Sequence, residues 1–327
     1  MSVFAPAAAN RVEILDLRHF TSADLRPLLD EESGLWNRLL CWDYKASAEM
    51  ILRYVDAKIL PGYAAVDRGT VFGYAFFVYE GNKGVIGDLF VGGKNGTGKA
   101  SPVELELLNH VIATLQQSPG IHRVEAQLLV HDAGEVARPF AEEGFQRYQR
   151  LFMTMQLAGD PVFLRSRQPI EGIEIRPWRE GDYQSAAGVI TAAYRGHIDS
   201  EINDQYRTIA GSLRFLNNIV RFPGCGTFDA EASFVAVSKS MQNVVGVILC
   251  SRVKEDVGHV TQVCILPEFR GKRIGEELIA LTVERLKESR ARMISLTVTE
   301  QNQRAVQLYL RLGFEIKRVF DAFVWEG

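Results

Sequence analysis

From Arg123 to Phe145 and again from Arg292 to Phe314 the chain repeats one pattern at identical spacing: an Arg opening a strand, a short helix, then Gly-Phe. Self-similarity at this scale constrains the fold more than any single motif, because each copy must be able to close a core of its own design. Other segments repeat in the same order. Val12 to Arg18 (VEILDLR) matches Ile173 to Arg179 (IEIRPWR), each followed by polar residues that end in Asp24 or Asp182 before a helical pattern. Tyr63-Ala64-Ala65-Val66 with Gly73-Tyr74-Ala75 parallels Phe234-Val235-Ala236-Val237 with Gly246-Val247-Ile248, and both pairs read as β-hairpins. Each copy continues with an apolar strand (Val85 to Val91; His259 to Leu266), a glycine-containing loop and an amphipathic helix. Leu105, Leu108, Ile112 and Leu115 mark the first helix, and Ile274, Leu278, Leu281 and Leu286 the second. Strands alternating with helices predict two α/β domains, each with a mixed sheet. Two prolines and two glycines interrupt the periodicity between Ala158 and Gly172, so the expected domains are 1–160 and 173–327 with a linker over 158–172.

A chain of 327 residues suits two domains. With 37 Lys plus Arg against 40 Asp plus Glu, the net charge of −3 excludes the electrostatic coating of nucleic acid. The first half carries a small acidic excess and the second a small basic one, which better suits an anionic ligand. Cys41, Cys225, Cys250 and Cys264 are too scattered for C-x-x-C pairs and too few for a disulfide scaffold, which points to a reducing, cytoplasmic setting. The opening MSVFAPAAAN has no basic n-region or long apolar core, and no stretch reaches roughly 18 uninterrupted apolar residues; a frayed tail without export signal or membrane span is expected.

The most informative stretch is Val260 to Leu278 (VTQVCILPEFRGKRIGEEL), which reads strand, loop, helix. Gly271 and Gly275 let backbone approach a ligand closely, and the N–H groups opening a helix point outward with the positive end of its dipole. Arg270, Lys272 and Arg273 add positive charge, giving a site for a phosphate or pyrophosphate. Arg270-Gly271-Lys272-Arg273-Ile274-Gly275 resembles the Arg/Gln-x-x-Gly-x-Gly/Ala signature of the GCN5-related N-acetyltransferase family, with Arg273 where the family usually has its middle glycine. A second block also resembles that family: Asn302, Ala305, Tyr309, Gly313 and Phe314 fit its N-x-x-A-x-x-x-Y-x-x-x-G-F pattern. The likeness covers roughly Ile173 to Trp325, and the tandem arrangement is similar to that of the mycothiol synthases, two-domain members acting on a small amine.

The resemblance implies two tandem acetyltransferase-like domains, each a mostly antiparallel mixed sheet flanked by helices and split at a splayed parallel strand pair. It implies that acetyl-CoA lies in that V as co-substrate, its pantetheine arm along the backbone of Val263, Cys264 and Ile265 and its pyrophosphate on the loop from Arg270 to Gly275. Asn302 would bond the arm and Tyr309 would face the sulfur as general acid. The oxyanion would be met by a backbone N–H near Ile265, and no metal is expected. Glu255, His259, Glu268 and Glu300 are candidate bases, with none preferred. Cys264 reads as a small residue of a buried strand.

In the first half the analogous loop, Gly92 to Ser101, contains G-x-x-x-x-G-K but has Ala100 where a P-loop needs Ser or Thr, leaving a surface turn or an altered CoA loop. Phe140 replaces Tyr309 and Ala133 replaces Asn302, so this half is expected to be a degenerate acetyltransferase fold, with a secondary acyl-CoA site left open. Acceptor choice is expected from Tyr183 to Gly226, where Tyr194, His197, Asp199, Glu201, Tyr206 and Arg207 mix aromatic and charged groups. The expected activity is acetyl-CoA-dependent N-acetylation of a primary amine, small-molecule or protein, by the C-terminal domain in a ternary complex. A non-catalytic acyl-CoA sensor or scaffold is the alternative. The oligomeric state and the pairing of the closing strands near Phe314 to Trp325 are left open.

Overall fold

A computed structural model describes residues 12–93, 99–159, 164, 169–221 and 226–327. The opening tail, residues 94–98 of the Gly92 to Ser101 loop, most of the expected linker and the turn at 222–225 lie outside the described residues. The chain forms two compact units: residues 1–35, 45–147 and 321–327, and residues 36–44 and 148–320.

The first unit contains β1 (Glu13–Asp16), α1 (Ser22–Leu40, whose last residues belong to the second unit), α2 (Lys45–Asp56), β2 (Gly62–Asp67), β3 (Thr70–Glu80), β4 (Lys83–Val91), α3 (Pro102–Gln117), β5 (Arg123–Gln127) and α4 (Ala137–Glu142). Its strands run in the order β1-β2-β3-β4-β5, antiparallel except for the parallel pair β4·β5. Helix α3 starts sharply because Pro102 opens it and Ser101 and Glu104 cap each other's backbone N–H groups. Its apolar stripe, including Leu108, Ile112 and Leu115, packs on Ile86, Leu89 and Val124 of the sheet.

The second unit contains β6 (Gln146–Gln156, from Tyr148), β7 (Ile173–Pro177), α5 (Tyr183–Ala193), α6 (Ile198–Ile202), α7 (Ile209–Arg221), β8 (Thr227–Phe228), β9 (Phe234–Ser238), β10 (Asn243–Lys254), β11 (Val257–Ile265), α8 (Ile274–Glu288), β12 (Met293–Thr299), α9 (Gln303–Arg311) and the start of β13 (Glu315–Glu326). The order is β7-β9-β10-β11-β12-β6, with β11·β12 the parallel pair. Alternation along β10 supplies two cores. Ile248 and Cys250 face Leu278, Val283 and Ile294, whereas Val247 and Leu249 face Trp178, Ile190 and Leu216.

The closing strands are exchanged. β6, which follows the first repeat in sequence, pairs antiparallel with β12 from Arg150↔Thr299 to Gln156↔Met293. The end of β13 pairs with β5 from Ala322↔Gln127 to Glu326↔Arg123. The chain therefore divides between Arg147 and Tyr148, ahead of the expected linker, and the final residues from Asp321 belong to the first unit. Both strands carry an apolar run, Leu151-Phe152-Met153 in β6 and Ala322-Phe323-Val324-Trp325 in β13, so their sequence does not encode which sheet each completes.

Both parallel pairs end early. β11 and β12 pair only from Val257↔Met293 to Val260↔Leu296, although both strands run on. The cause is a bulge: Leu249 faces Gln262 and Cys250 faces Val260, so Thr261 is an extra residue of β11. A bulge bends its strand and re-aims the side chains beyond it. Val260 therefore shares a core with Val263 and Ile265, while Cys264 faces the other one. In the first unit Gly87 is the extra residue of β4, and β4·β5 pairing stops at Ile86↔Ala126. A Cβ on Gly87 would come within 2.1 Å of the Phe76 ring, so glycine gives the bulge its room.

Candidate active site

Where β11 and β12 part, a cavity of about 520 Å³ opens in the second unit. Its walls include Val263, Cys264, Ile265, Arg270, Gly271, Arg273, Ile274, Gly275, Asn302 and Tyr309, ten of the eleven residues expected from sequence to hold the co-substrate or act on it. Lys272 is outside the lining, with its ammonium 4.7 Å above the Phe269 ring.

The cavity's anion-binding end is built by backbone. After a 3₁₀ turn at Pro267–Phe269 the chain passes Gly271 at φ +81° and Arg273 at φ 63° before α8 begins. Arg273 occupies the left-handed region at a cost of about 1–2 kcal/mol relative to ordinary backbone, so the loop keeps the glycine-like shape without the glycine. Glu277 donates the bond that closes the first helical turn, to the Arg273 carbonyl at 3.0 Å, and the N–H groups ahead of it project from the helix end. A Cβ on Gly271 would meet nothing within 4 Å, and one on Gly275 only Ile265 Cγ1 at 3.9 Å. The guanidinium of Arg270 braces the loop: it donates to the carbonyls of Ala193 at 2.6 Å and Ile265 at 3.4 Å.

The other walls position the chemistry. Asn302 caps α9, its Oδ1 accepting the Ala305 N–H at 3.3 Å. Two turns along, Tyr309 is 7% exposed and burial, reinforced by the Asp199 charge, pushes its phenol well above its ordinary value. It is a neutral donor at physiological pH. Opposite, Tyr194 at the end of α5 donates to Gln262 Oε1 at 2.9 Å, and that oxygen also accepts the Val263 N–H at 3.1 Å. Gln262 lines the cavity, and its buried Nε2 has no hydrogen-bond partner among the described residues. Asp199 Oδ1 accepts from Arg150 at 3.0 Å and from the Thr299 hydroxyl, while the Asp199 N–H donates to His197 Nδ1 at 3.2 Å. Nδ1 therefore carries no proton, which leaves the proton of neutral His197 on Nε2.

Glu255, His259, Glu268 and Glu300 do not line the cavity. His259 is buried beneath Trp42 at 4.8 Å between ring centroids, its Nδ1 is 2.9 Å from Ser295 Oγ, and desolvation pushes its pKa down to about 3. Cys264 is buried and burial raises its thiol, in keeping with a core side chain. The groups missed from sequence are Arg150 and Gln262. Arg150 lies on the exchanged strand, and Gln262 is turned toward Tyr194 by the bulge.

A split parallel pair, a helix N-terminus at its mouth and a buried phenol within define an acyl-transfer scaffold of the kind its motifs resemble. Residues 200–314, within the second unit, match the acetyltransferase (GNAT) family, the family that the motifs in this half resemble. An uncharacterized N-acetyltransferase of Methanocaldococcus jannaschii is 38% identical over 71 residues, 22% of this chain and 31% of that protein. Mycothiol acetyltransferase of Thermobifida fusca is 33% identical over 98 residues, 27% of this chain and 30% of that one. The matches thus span about a third of these relatives' lengths. Among solved structures, a GCN5-related N-acetyltransferase from Sphaerobacter thermophilus superposes with a TM-score of 0.66 at 18% identity, covering 98% of this chain and 97% of that one. A tandem GNAT protein from the clavulanic acid biosynthesis pathway gives 0.59 at 14% identity, covering 97% and 98%. Among the described residues no helix is long and apolar enough to cross a membrane.

Proposed function

We propose that the second unit transfers an acetyl group from acetyl-CoA to a primary amine by direct attack in a ternary complex. The observation that carries this reading is the cavity itself, which joins the loop from Arg270 to Gly275, the unpaired edge of β11 beyond Val260 and the Tyr309 phenol. The donor set fits the co-substrate. Open space over Gly271 and Gly275 beside the N-terminus of α8 suits a pyrophosphate, and the free edge from Thr261 to Ile265 suits a strand-like amide arm.

Acetyl-CoA supplies the activated thioester. The β11 backbone near Ile265 offers an N–H to the carbonyl oxygen as it gains charge. As the C–N bond forms and the C–S bond breaks, Tyr309 would give its proton to the departing sulfur, and the proton shed by the amine nitrogen would restore the phenol, directly or through water. At the acceptor end, Gln262 Nε2 offers a buried donor that favours an amine also bearing a carbonyl, carboxylate or hydroxyl oxygen. Small-molecule and protein amines both meet that description. The first unit carries Phe140 at the position of Tyr309, stacked 3.9 Å from Phe323 in the core, and is read as a non-catalytic acetyltransferase-like fold. The free thiols Cys41, Cys250 and Cys264 suit a reducing, cytoplasmic setting.

Calorimetric titration of the full-length protein with acetyl-CoA tests the reading, repeated with Gly275→Trp, which has room to fold but fills the pyrophosphate cradle. One site per chain, lost in the variant, is expected, followed by CoA thiol release with an amine panel. Absence of binding would sink the proposal, and binding without turnover on any amine would favour an acyl-CoA sensor.

A further inference from the structure

A nitrogen that attacks a thioester must shed a proton, and the candidate bases named from sequence all stand away from the cavity. Among the described residues, the ionisable side chains lining it that are able to accept a proton are Asp199, Glu276 and His197. Tyr194, Tyr309 and Cys264 are held neutral by burial and keep their protons. Glu276 lies in the first turn of α8, beside the loop from Arg270 to Gly275, with its Oε1 3.6 Å from Arg273. His197 has no free lone pair, because Nδ1 accepts the Asp199 N–H and Nε2 carries the ring proton. Asp199 is left.

Its two oxygens are placed differently. Oδ1 accepts from Arg150 Nη1 and from the Thr299 hydroxyl, and these bonds fix the carboxylate. Oδ2 lies 3.5 Å from His197 Nδ1, itself an acceptor, and no described residue donates a hydrogen bond to it. Two acceptors therefore face each other at the cavity wall, and an incoming N–H satisfies Oδ2. The carboxylate also stands among the reacting groups. Beyond the effect of burial, its charge raises the phenols of Tyr194, of Tyr206 in the 3₁₀ turn at Asp204–Arg207, and of Tyr309.

We propose that Asp199 is the proton acceptor for the attacking amine, an inference that rests on the acetyl-transfer reading of this cavity. Oδ2 accepts one N–H of the neutral amine and so orients its nitrogen for attack. As the C–N bond forms, that N–H bond breaks and its proton passes to Oδ2. The C–S electron pair leaves with the sulfur, which takes the Tyr309 proton. Asp199 then returns its proton through water to the phenolate, and both residues regain their starting states.

The test uses the full-length protein, with acetyl-CoA affinity from calorimetry, kcat from CoA thiol release on the best amine of a panel, and stability from denaturant unfolding. Adding Asp199→Asn to Arg150→Met removes the carboxylate charge left without its partner. It is expected to restore stability while lowering kcat by a further factor of about 10² or more, with acetyl-CoA affinity unchanged. A carboxylate that only holds structure predicts the reverse, with activity returning as stability does, and that result overturns the proposal. So does an equal kcat in the single and double variants. Should Arg150→Met not fold, the double variant is compared with wild type, where a loss of the same size is expected and an unchanged kcat overturns the proposal. A wild type that binds no acetyl-CoA, or releases no CoA thiol with any amine, sinks the acetyl-transfer reading itself and this inference with it.

Discussion

Arg150 Nη1 lies 3.0 Å from Asp199 Oδ1, an ion pair that brings a residue of the first repeat's closing strand to a carboxylate lining the second unit's cavity. Both side chains are 13% exposed. Removing one partner leaves the other largely desolvated, so Arg150→Met is expected to cost about 3 kcal/mol in denaturant unfolding. The double variant Arg150→Met/Asp199→Asn should recover most of that loss, and simple additivity in the cycle would refute the coupling.

The exchange of strands makes a second prediction. A chain restricted to 173–327 keeps the whole family signature but lacks β6, leaving the β12 edge from Met293 to Thr299 unpaired. Such an edge promotes association. Light scattering and size exclusion should show the fragment aggregating where the full-length chain does not; a monodisperse, cooperatively unfolding fragment would contradict the assignment of β6 to this unit.

Tyr309→Phe removes one oxygen from a buried phenol and leaves the ring in place. The expected loss in kcat is about 10²- to 10⁴-fold with little change in acetyl-CoA affinity, as for loss of a general acid. Because burial raises this phenol above its ordinary 10.0, the wild-type rate should show no alkaline loss from it up to that pH. Unchanged turnover in the variant would return Tyr309 to a packing role.

His259 makes stability depend on pH. Its folded pKa is depressed from 6.5 to about 3 by desolvation, so below 6.5 the unfolded chain binds a proton that the folded chain refuses. The contribution is fully present above 6.5 and falls by about 1.4 kcal/mol per unit as pH drops toward 3. Unfolding free energies of wild type and His259→Gln should therefore converge with acidification. Parallel curves would show that the imidazole is not buried neutral.

Local motifs were legible in the sequence because their physics is local. The Arg270 to Gly275 loop and the Asn302 to Tyr309 block each occupy one strand-to-helix junction, and the cavity is built from both. What escaped depends on register. A single extra residue, Thr261, turns Gln262 toward Tyr194 and separates β11 from β12, yet nothing in VTQVC marks a bulge. Arg150 was invisible for a different reason: its partner Asp199 lies across the expected domain boundary, and the apolar run of β6 fits either sheet. His259 looked like a candidate base because sequence cannot see Trp42 and Phe152 packed against it.

The exchanged closing strands also set an order of events during synthesis. Chains grow from the N-terminus and their domains tend to fold as they emerge. Here β5 must wait for β13, across the 203 residues that separate Arg123 from its partner Glu326. The second unit, by contrast, finds β6 already made when β12 appears. Of the two units, the one translated first is therefore completed last, and residues through Glu326 must have left the ribosome before the N-terminal sheet acquires its final strand.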